Sequence, residues 1–333
     1  MELQPGAYFK VGQEGFEYVG KVSSEIDPSK PVVVARINPE LPVAEGALHR
    51  TFDTETLSRE GVKVGPFCEI LPYSTYAREK TAWQTRFGAE IEVPYPPRLL
   101  VDTLRTAEEA GITSLEYHYL PGGNMERDGI TIGGRKYLFS DIPDWKVPED
   151  RFFQDTEPIR WPSGVQPPNI SPETLSFPSC HILVDNTQKP DSQNGNQMYE
   201  PDSFKKLILD LGDKLSPEIE GSRFNISYDA RAEHFDPALT QTLGLTTAVE
   251  EGKAKVTIPT GVIFNVVGNI FHPEWGNTST YEWLEDKSGR GIRLVGGGSG
   301  LGGLSRFLRA YASEHEDAIG FRPLIVFPQE PIK

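Results

Sequence analysis

Six histidines (His49, His118, His181, His234, His272, His315) and two cysteines (Cys68, Cys180) are the first candidates for metal or nucleophilic chemistry in this 333-residue chain. No two histidines stand four apart, the spacing that pairs them on one helical face, so no helical metal motif is present. Cys68 and Cys180 are distant from one another and lack the close spacing of metal ligands. One disulfide or two buried thiols remain, and buried thiols are the favoured reading. The most site-like group is Glu116, beside His118 and Tyr119 on a run that reads as strand. A hydrogen-bonded structural carboxylate is the competing and favoured reading. The run Gly296-Gly-Gly-Ser-Gly-Leu-Gly-Gly303 invites comparison with a phosphate loop. It lacks the closing Lys-Ser/Thr and a βαβ setting with a well-placed acidic residue. Paired carboxylates abound, and spacing by itself selects no glycosidase pair. The expectation is therefore no catalytic residue, no cofactor and no metal.

The background is acidic, with 33 Lys+Arg against 48 Asp+Glu and a net charge of −15. That balance argues against non-specific binding to nucleic acid or to an anionic membrane. No run approaches the ~18 apolar residues of a membrane helix. The start, Met1-Glu-Leu-Gln-Pro-Gly6, shows neither the basic stretch nor the apolar core of a secretory signal. A role outside the cell would need lysis, a dedicated secretion route or incorporation into a particle; otherwise the expected location is cytoplasmic. Glycine (32) and proline (28) are frequent, which excludes a helical bundle and implies many turns.

These groups must be held by a mixture of strands and helices. Tyr18–Val22 and Pro31–Ile37 read as strands, and the aromatic, glycine-rich start suits a β region that mounts the protein or assembles with other copies. Leu100, Val101, Leu104 and Ala107 recur at helical spacing between Pro96-Pro97 and Gly111. Ser114–Leu120 reads as a strand. Ile130–Ile132 and Lys136–Phe139 flank Gly133-Gly134 as a hairpin. Residues 141–178 are proline-rich and read as a long ordered loop. Cys180–Val184 reads as a buried strand, Pro201–Leu215 as the clearest helix, and Phe224–Tyr228, Lys255–Ile258 and Gly261–Val267 as strands.

Three clusters in the last hundred residues carry a further signal. They are Asn265-Val-Val-Gly-Asn-Ile-Phe-His-Pro-Glu-Trp275 with Tyr281-Glu-Trp-Leu284, then Arg293-Leu-Val-Gly-Gly-Gly-Ser299, then Gly320-Phe-Arg-Pro323 before an apolar run. Their order resembles the C-type-lectin-like fold of formylglycine-generating enzymes and of diversity-generating-retroelement variable proteins, the phage receptor-binding tail protein type included. Gly268, Asn269 and Trp275 or Trp283 take the first motif; Leu294, Gly296, Gly297 and Ser299 the second; Gly320, Phe321, Arg322 and Pro323 the third. The pattern is broken by two extra residues before Glu274, by Val295 for arginine, by the added Gly298 and by Gly300 for tryptophan. Arg98–Gly111 is a weak echo of the family's upstream helix. The copper-binding cysteine pair of the formylglycine-generating enzymes has no counterpart here. The histidine spacing likewise gives little support to the metal triad of the related sulfoxide-forming enzymes.

The resemblance implies an α+β chain: a β-rich N-terminal region (1–95), then a C-type-lectin-like domain (96–333) with a Pro-rich insertion at about 141–200. In it Gly268, Asn269, Trp283, Gly296, Gly297, Gly320, Phe321 and Arg322 are structural, with the Arg322 guanidinium braced on carbonyls or a carboxylate. The segment from Ser299 to Glu316 is an irregular displayed loop held by strands at both ends. Ser299, Leu301, Ser305, Arg306, Arg309, Tyr311, His315 and Glu316 are its ligand-binding candidates. A surface helix over Leu304–Ala312 is the alternative, since Leu304, Phe307, Leu308 and Tyr311 fall at helical spacing. The function implied is receptor recognition, for instance on a phage tail or similar particle, with a cell-surface protein or glycan as partner and several copies acting together. An enzyme on the same fold or a purely structural virion protein are the alternatives.

Overall fold

The computed structural model describes residues 7–12, 15–21, 73–88, 91–94, 96–149, 175–193, 197–288 and 290–329. The chain is α+β. At the N-terminus β1 (Ala7–Gly12) and β2 (Gly15–Lys21) pair antiparallel. The strand expected at Pro31–Ile37, and Cys68, lie outside the described residues.

Two sheets carry the rest. The larger has the order β5-β4-β3-β6-β12-β7, from β3 (Leu115–Met125), β4 (Gly129–Ile132), β5 (Arg135–Leu138), β6 (Ser176–Asp185), β7 (Lys255–Thr257) and β12 (Leu324–Pro328). The smaller has the order β10-β9-β8-β11, from β8 (Tyr281–Lys287), β9 (Ile292–Gly296), β10 (Phe307–Tyr311) and β11 (Ile319–Gly320). Gly133 and Gly134, at φ 57° and 80°, make the two-residue turn between β4 and β5, where a left-handed pair matches the strand twist.

Helix α1 (Tyr73–Phe87) buries Trp83 and Phe87, and α2 (Arg98–Glu109) buries Leu100, Val101, Leu104 and Ala107, the stripe expected for it. Trp83, Phe87, Ile91 and Val93 belong to the same apolar core as Ile182, Phe264, Trp283 and Phe327. Cys180 is a free, buried thiol.

Three elements differ from expectation. Gly261–Val267 is not a strand but the start of helix α5 (Gly261–Ile270). Its residues from Gly261 to Asn269 are all buried. A segment apolar on every side carries no period, and its Val and Ile residues bias the reading towards strand. Thr260 starts the helix, its Oγ1 accepting from Ile263 N at 3.3 Å. Pro201–Leu215 shortens to α3 (Lys205–Leu211) and a 3-10 turn, Gly212–Lys214, because Asp202 Oδ1 accepts from Phe204 N at 2.9 Å and forms the entry turn. Phe224–Ser227 has no strand partner among the described residues. It leads into a helical run, Tyr228–Ala230, a π-helical Arg231–Phe235 and α4 (Asp236–Thr242).

Asp286 Oδ2 accepts from Gly261 N at 2.6 Å at the buried start of α5. Burial pushes its carboxyl up to about 7, only partly offset by that N–H. The folded chain holds a proton there that the unfolded chain releases near 3.8. This group's contribution is full below that value and is lost as pH rises towards 7. Asp286→Asn keeps an acceptor for Gly261 without the charge. It is expected to match the parent below about pH 4 and to exceed it by on the order of a few kcal/mol near pH 8 in urea unfolding. An equal gap at both pH values would refute this.

Candidate functional site

The centre is built where α1, β3 and the turn after α5 meet. Along β3, Glu116 and His118 are two residues apart and so point to one face. On α1, Arg78 and Glu79 reach the same face. Phe271 caps helix α5, and the His272 N–H continues its bonding to Val267 O and Gly268 O, both at 3.2 Å. The 3-10 turn Pro273–Gly276 then places Glu274 and Trp275.

The two imidazoles face each other, with His118 Nε2 and His272 Nε2 3.1 Å apart. Each is held from behind by a carboxylate: His118 Nδ1 lies 2.9 Å from Glu79 Oε1 and His272 Nδ1 2.9 Å from Glu274 Oε1. Glu79 is itself fixed by Tyr119 N at 3.2 Å. Glu116 Oε2 is 3.7 Å from His272 Nε2 and accepts from Asn186 Nδ2 at 2.9 Å. Its other oxygen is 2.6 Å from Arg78 Nη2. One ligand atom from each of Glu116, His118 and His272 falls within 4.8 Å of the others.

The rings are packed as well as bonded. His118 stacks on Phe271, with centroids 4.3 Å apart, and His272 lies parallel to Trp275 at 4.6 Å. The His118 side chain is fully buried, while His272 and Glu116 are 9% and 18% exposed and Glu274 and Arg78 line the open side. Burial, then the nearby His118, holds His272 down to about 4. Burial would raise the Glu116 carboxyl, but His118, the Asn186 bond, Arg78 and His272 together keep it below the usual range.

With both Nδ1–H groups given to carboxylates, two Nε2 lone pairs would oppose each other across 3.1 Å. A cation between them removes that repulsion. Nitrogens about 2.0–2.1 Å from one ion lie about 2.8–3.4 Å apart for octahedral to tetrahedral angles, so the observed separation fits. The residues present therefore fit a metal ion, against the expectation of none. The outer partners are also complete, since a ligand's far atom is normally held by a carboxylate, a carbonyl or another polar group.

The motif residues of the C-terminal clusters are structural in their contacts. Gly268 packs so tightly that an added Cβ would meet Leu304 Cδ2 at 2.6 Å. Asn269 Oδ1 accepts from Lys146 N at 2.6 Å, and Trp283 Nε1 donates to Ile226 O at 2.9 Å. Gly296 pairs with Phe307 and Glu282, and Gly297 sits at φ 94°. Gly320 runs parallel to Glu282, and Phe321 is buried edge-on to Phe235. Arg322 is fully buried. It donates to Glu282 Oε1 and Oε2 at 2.9 and 3.2 Å, to Thr187 O at 3.0 Å and to Asp185 O. Its guanidinium also lies 4.2 Å from the Trp275 ring.

The displayed segment is more ordered than a loop and is not a helix. Two 3-10 turns, Ser299–Leu301 and Gly303–Ser305, lead into β10, the edge strand of the smaller sheet. The strand forms because β9 offers Ile292–Gly296 as an antiparallel partner. Ser299, His315 and Glu316 are exposed, Ser305, Arg306 and Arg309 half-buried, and Tyr311 is 55% exposed. Several are engaged locally: Ser305 Oγ donates to Gly302 O, Arg306 pairs with Glu149 at 3.7 Å, and His315 Nδ1 meets Asn225 O at 2.8 Å. The side chain of Leu301 is outside the described set.

Glu79, His272, Glu274, Asn186 and Arg78 were not anticipated from sequence. The available signal was the Glu-x-His alternation at Glu116 and His118. No helix among the described residues is long and apolar enough to cross a membrane. Comparison with protein-family models, curated proteins and solved structures returned no match.

Proposed function

We propose that this chain binds one divalent transition-metal ion through Glu116, His118 and His272 and works as a metal-dependent enzyme. The observation that carries the reading is the pair of Nε2 atoms 3.1 Å apart, each imidazole aimed by its own buried or half-buried carboxylate. Two histidines and one carboxylate are the ligand set of catalytic zinc and non-haem iron sites, which keep positions open for water and substrate. A bound ion would act as a Lewis acid on a water or substrate oxygen. Arg78 and Asn186 hold the Glu116 carboxylate, and Glu79 and Glu274 hold the imidazoles. The formal charges of Glu79, Glu116, Glu274 and Arg78 sum to the opposite of a divalent ion.

The test is titration of metal-free protein with Zn²⁺, Co²⁺ and, without oxygen, Fe²⁺. One equivalent should bind, raise the melting temperature and, for Co²⁺, quench the tryptophan stacked on His272. Failure of all three ions to bind stoichiometrically would end the reading.

A second reading, the displayed receptor-binding surface implied by the lectin-like resemblance, is supported by Tyr311 standing 55% exposed on an edge strand. Aromatic and arginine side chains dominate binding hot spots. Joint replacement of Arg306, Arg309, Tyr311 and His315 by alanine is then expected to abolish attachment to the natural target while leaving the melting temperature within a few degrees. Unchanged attachment would dismiss it.

A further inference from the structure

Arg78 is used along one edge only. Its Nη2 lies 2.6 Å from Glu116 Oε1 and 3.4 Å from Glu79 Oε1, whereas Nη1 and Nε have no partner among the described residues. The side chain is 50% exposed, on the open side of the centre. A guanidinium presents its donors as a planar fork, so a free edge suits a second oxyanion beside the one already held.

Glu116 sets the span from that guanidinium to the ion position. Its Oε1 is on Arg78, while Oε2 is 3.7 Å from His272 Nε2. Guanidinium and ion are therefore one carboxylate apart. Three protein ligands leave coordination positions open. His118 is fully buried and stacked on Phe271, and His272 lies on Trp275, so those positions face the side where Arg78 stands.

Charge selects the ligand. A cation would meet both the ion and Arg78. A neutral ligand would leave the free guanidinium edge unanswered. Glu274 is the opposing charge, but it sits on His272 Nδ1 at 2.9 Å and so stands on the far side of the ring from Nε2 and the ion. A phosphate dianion would add two charges beside Glu79, Glu116 and Glu274. A carboxylate adds one and repeats the bridge that Glu116 already makes.

We propose that the substrate of this centre carries a carboxylate, held with one oxygen on the ion and the other on the free edge of Arg78. This rests on the metal-centre reading. It makes Arg78 a substrate-binding residue as well as the partner of Glu116.

The full chain loaded with one equivalent of Co²⁺ would be titrated with acetate, propionate, acetamide and phosphate, followed by calorimetry and by the visible Co²⁺ spectrum. Acetate or propionate should bind in the millimolar range or better and change the spectrum; acetamide should do neither. Arg78→Gln should weaken carboxylate binding by about tenfold or more, as expected for lost charge-assisted hydrogen bonds. Arg78→Lys keeps the charge without the fork and should fall between. Should neither variant load Co²⁺, phenylglyoxal labelling of Arg78 in the loaded parent, read by mass spectrometry, is expected to be slowed by acetate and not by acetamide. Failure of the parent to take up Co²⁺ would end the metal-centre reading itself. With Co²⁺ bound, the carboxylate proposal alone is overturned by any of four results. Acetate and propionate leave the spectrum unchanged, phosphate binds more tightly than either, Arg78→Gln binds them as the parent does, or acetate leaves the labelling of Arg78 unslowed.

Discussion

Alanine at His118 or at His272 is expected to lower affinity for Zn²⁺ or Co²⁺ by well over 100-fold, because losing a partner of a ligand already costs about 10–100-fold. Glu79→Gln and Glu274→Gln test the outer positions. Each keeps a hydrogen-bond acceptor for Nδ1 but removes the charge that orients the ring, so each should weaken binding by about 10–100-fold without abolishing it. Glu116→Gln removes a charged ligand and should fall between the two groups. The order matters more than any single value. If the alanine variants retain parental affinity while the protein still takes up one ion, the ion sits elsewhere and the centre is a structural hydrogen-bond network. Circular dichroism on the metal-free variants separates lost binding from lost folding. His118 is the variant to watch, because its fully buried ring also packs on Phe271.

Arg322→Ala should be the most damaging single change to stability, about 3–5 kcal/mol in urea unfolding, the usual cost of breaking a buried ion pair from one side. Arg322 and Glu282 are both fully buried, and Tyr199 Oη also donates to Glu282 Oε1 at 2.5 Å. Removing the guanidinium leaves that carboxylate without its main counter-charge and two carbonyls, of Asp185 and Thr187, without their donor. Glu282→Gln together with Arg322→Met should recover much of the loss, since deleting both partners leaves no uncompensated charge. A loss below about 1 kcal/mol for Arg322→Ala would mean water replaces the guanidinium. Asp185 belongs to the same network: burial would raise its carboxyl, but Arg223 and Arg322 hold it at about 2. Its contribution is therefore present above its ordinary 3.8 and lost as pH falls towards 2. Arg322→Ala should flatten the acid limb of the stability curve as well as lower its plateau.

Local chemistry in the sequence was sufficient where one physical rule acted undisturbed. The stripe Leu100, Val101, Leu104, Ala107 between prolines and Gly111 forms α2. Gly133-Gly134 forms the β4–β5 turn because two adjacent left-handed residues suit glycine. The bracing of Arg322 on Glu282, Thr187 and Asp185 was expected from the lectin-like resemblance and not from a local rule. Elsewhere the rules conflicted and packing decided. Helix α5 has no polar face for a period to reveal, and its helical state follows from burial on all sides with Thr260 and Asp286 at its start. Helix α1 was obscured by a buried carboxylate, since Glu79 occupies the buried stripe with Trp83 and Phe87 and interrupts the apolar repeat. The proposed metal centre shows the limit most clearly. Glu116 and His118 share a strand face and were visible as a pair, but His272 is 154 residues further on and Glu79 lies on another helix. Spacing along a chain encodes neighbours only within one element. The meeting of α1, β3 and the end of α5 is set by the core they enclose, and that is a property of the tertiary structure.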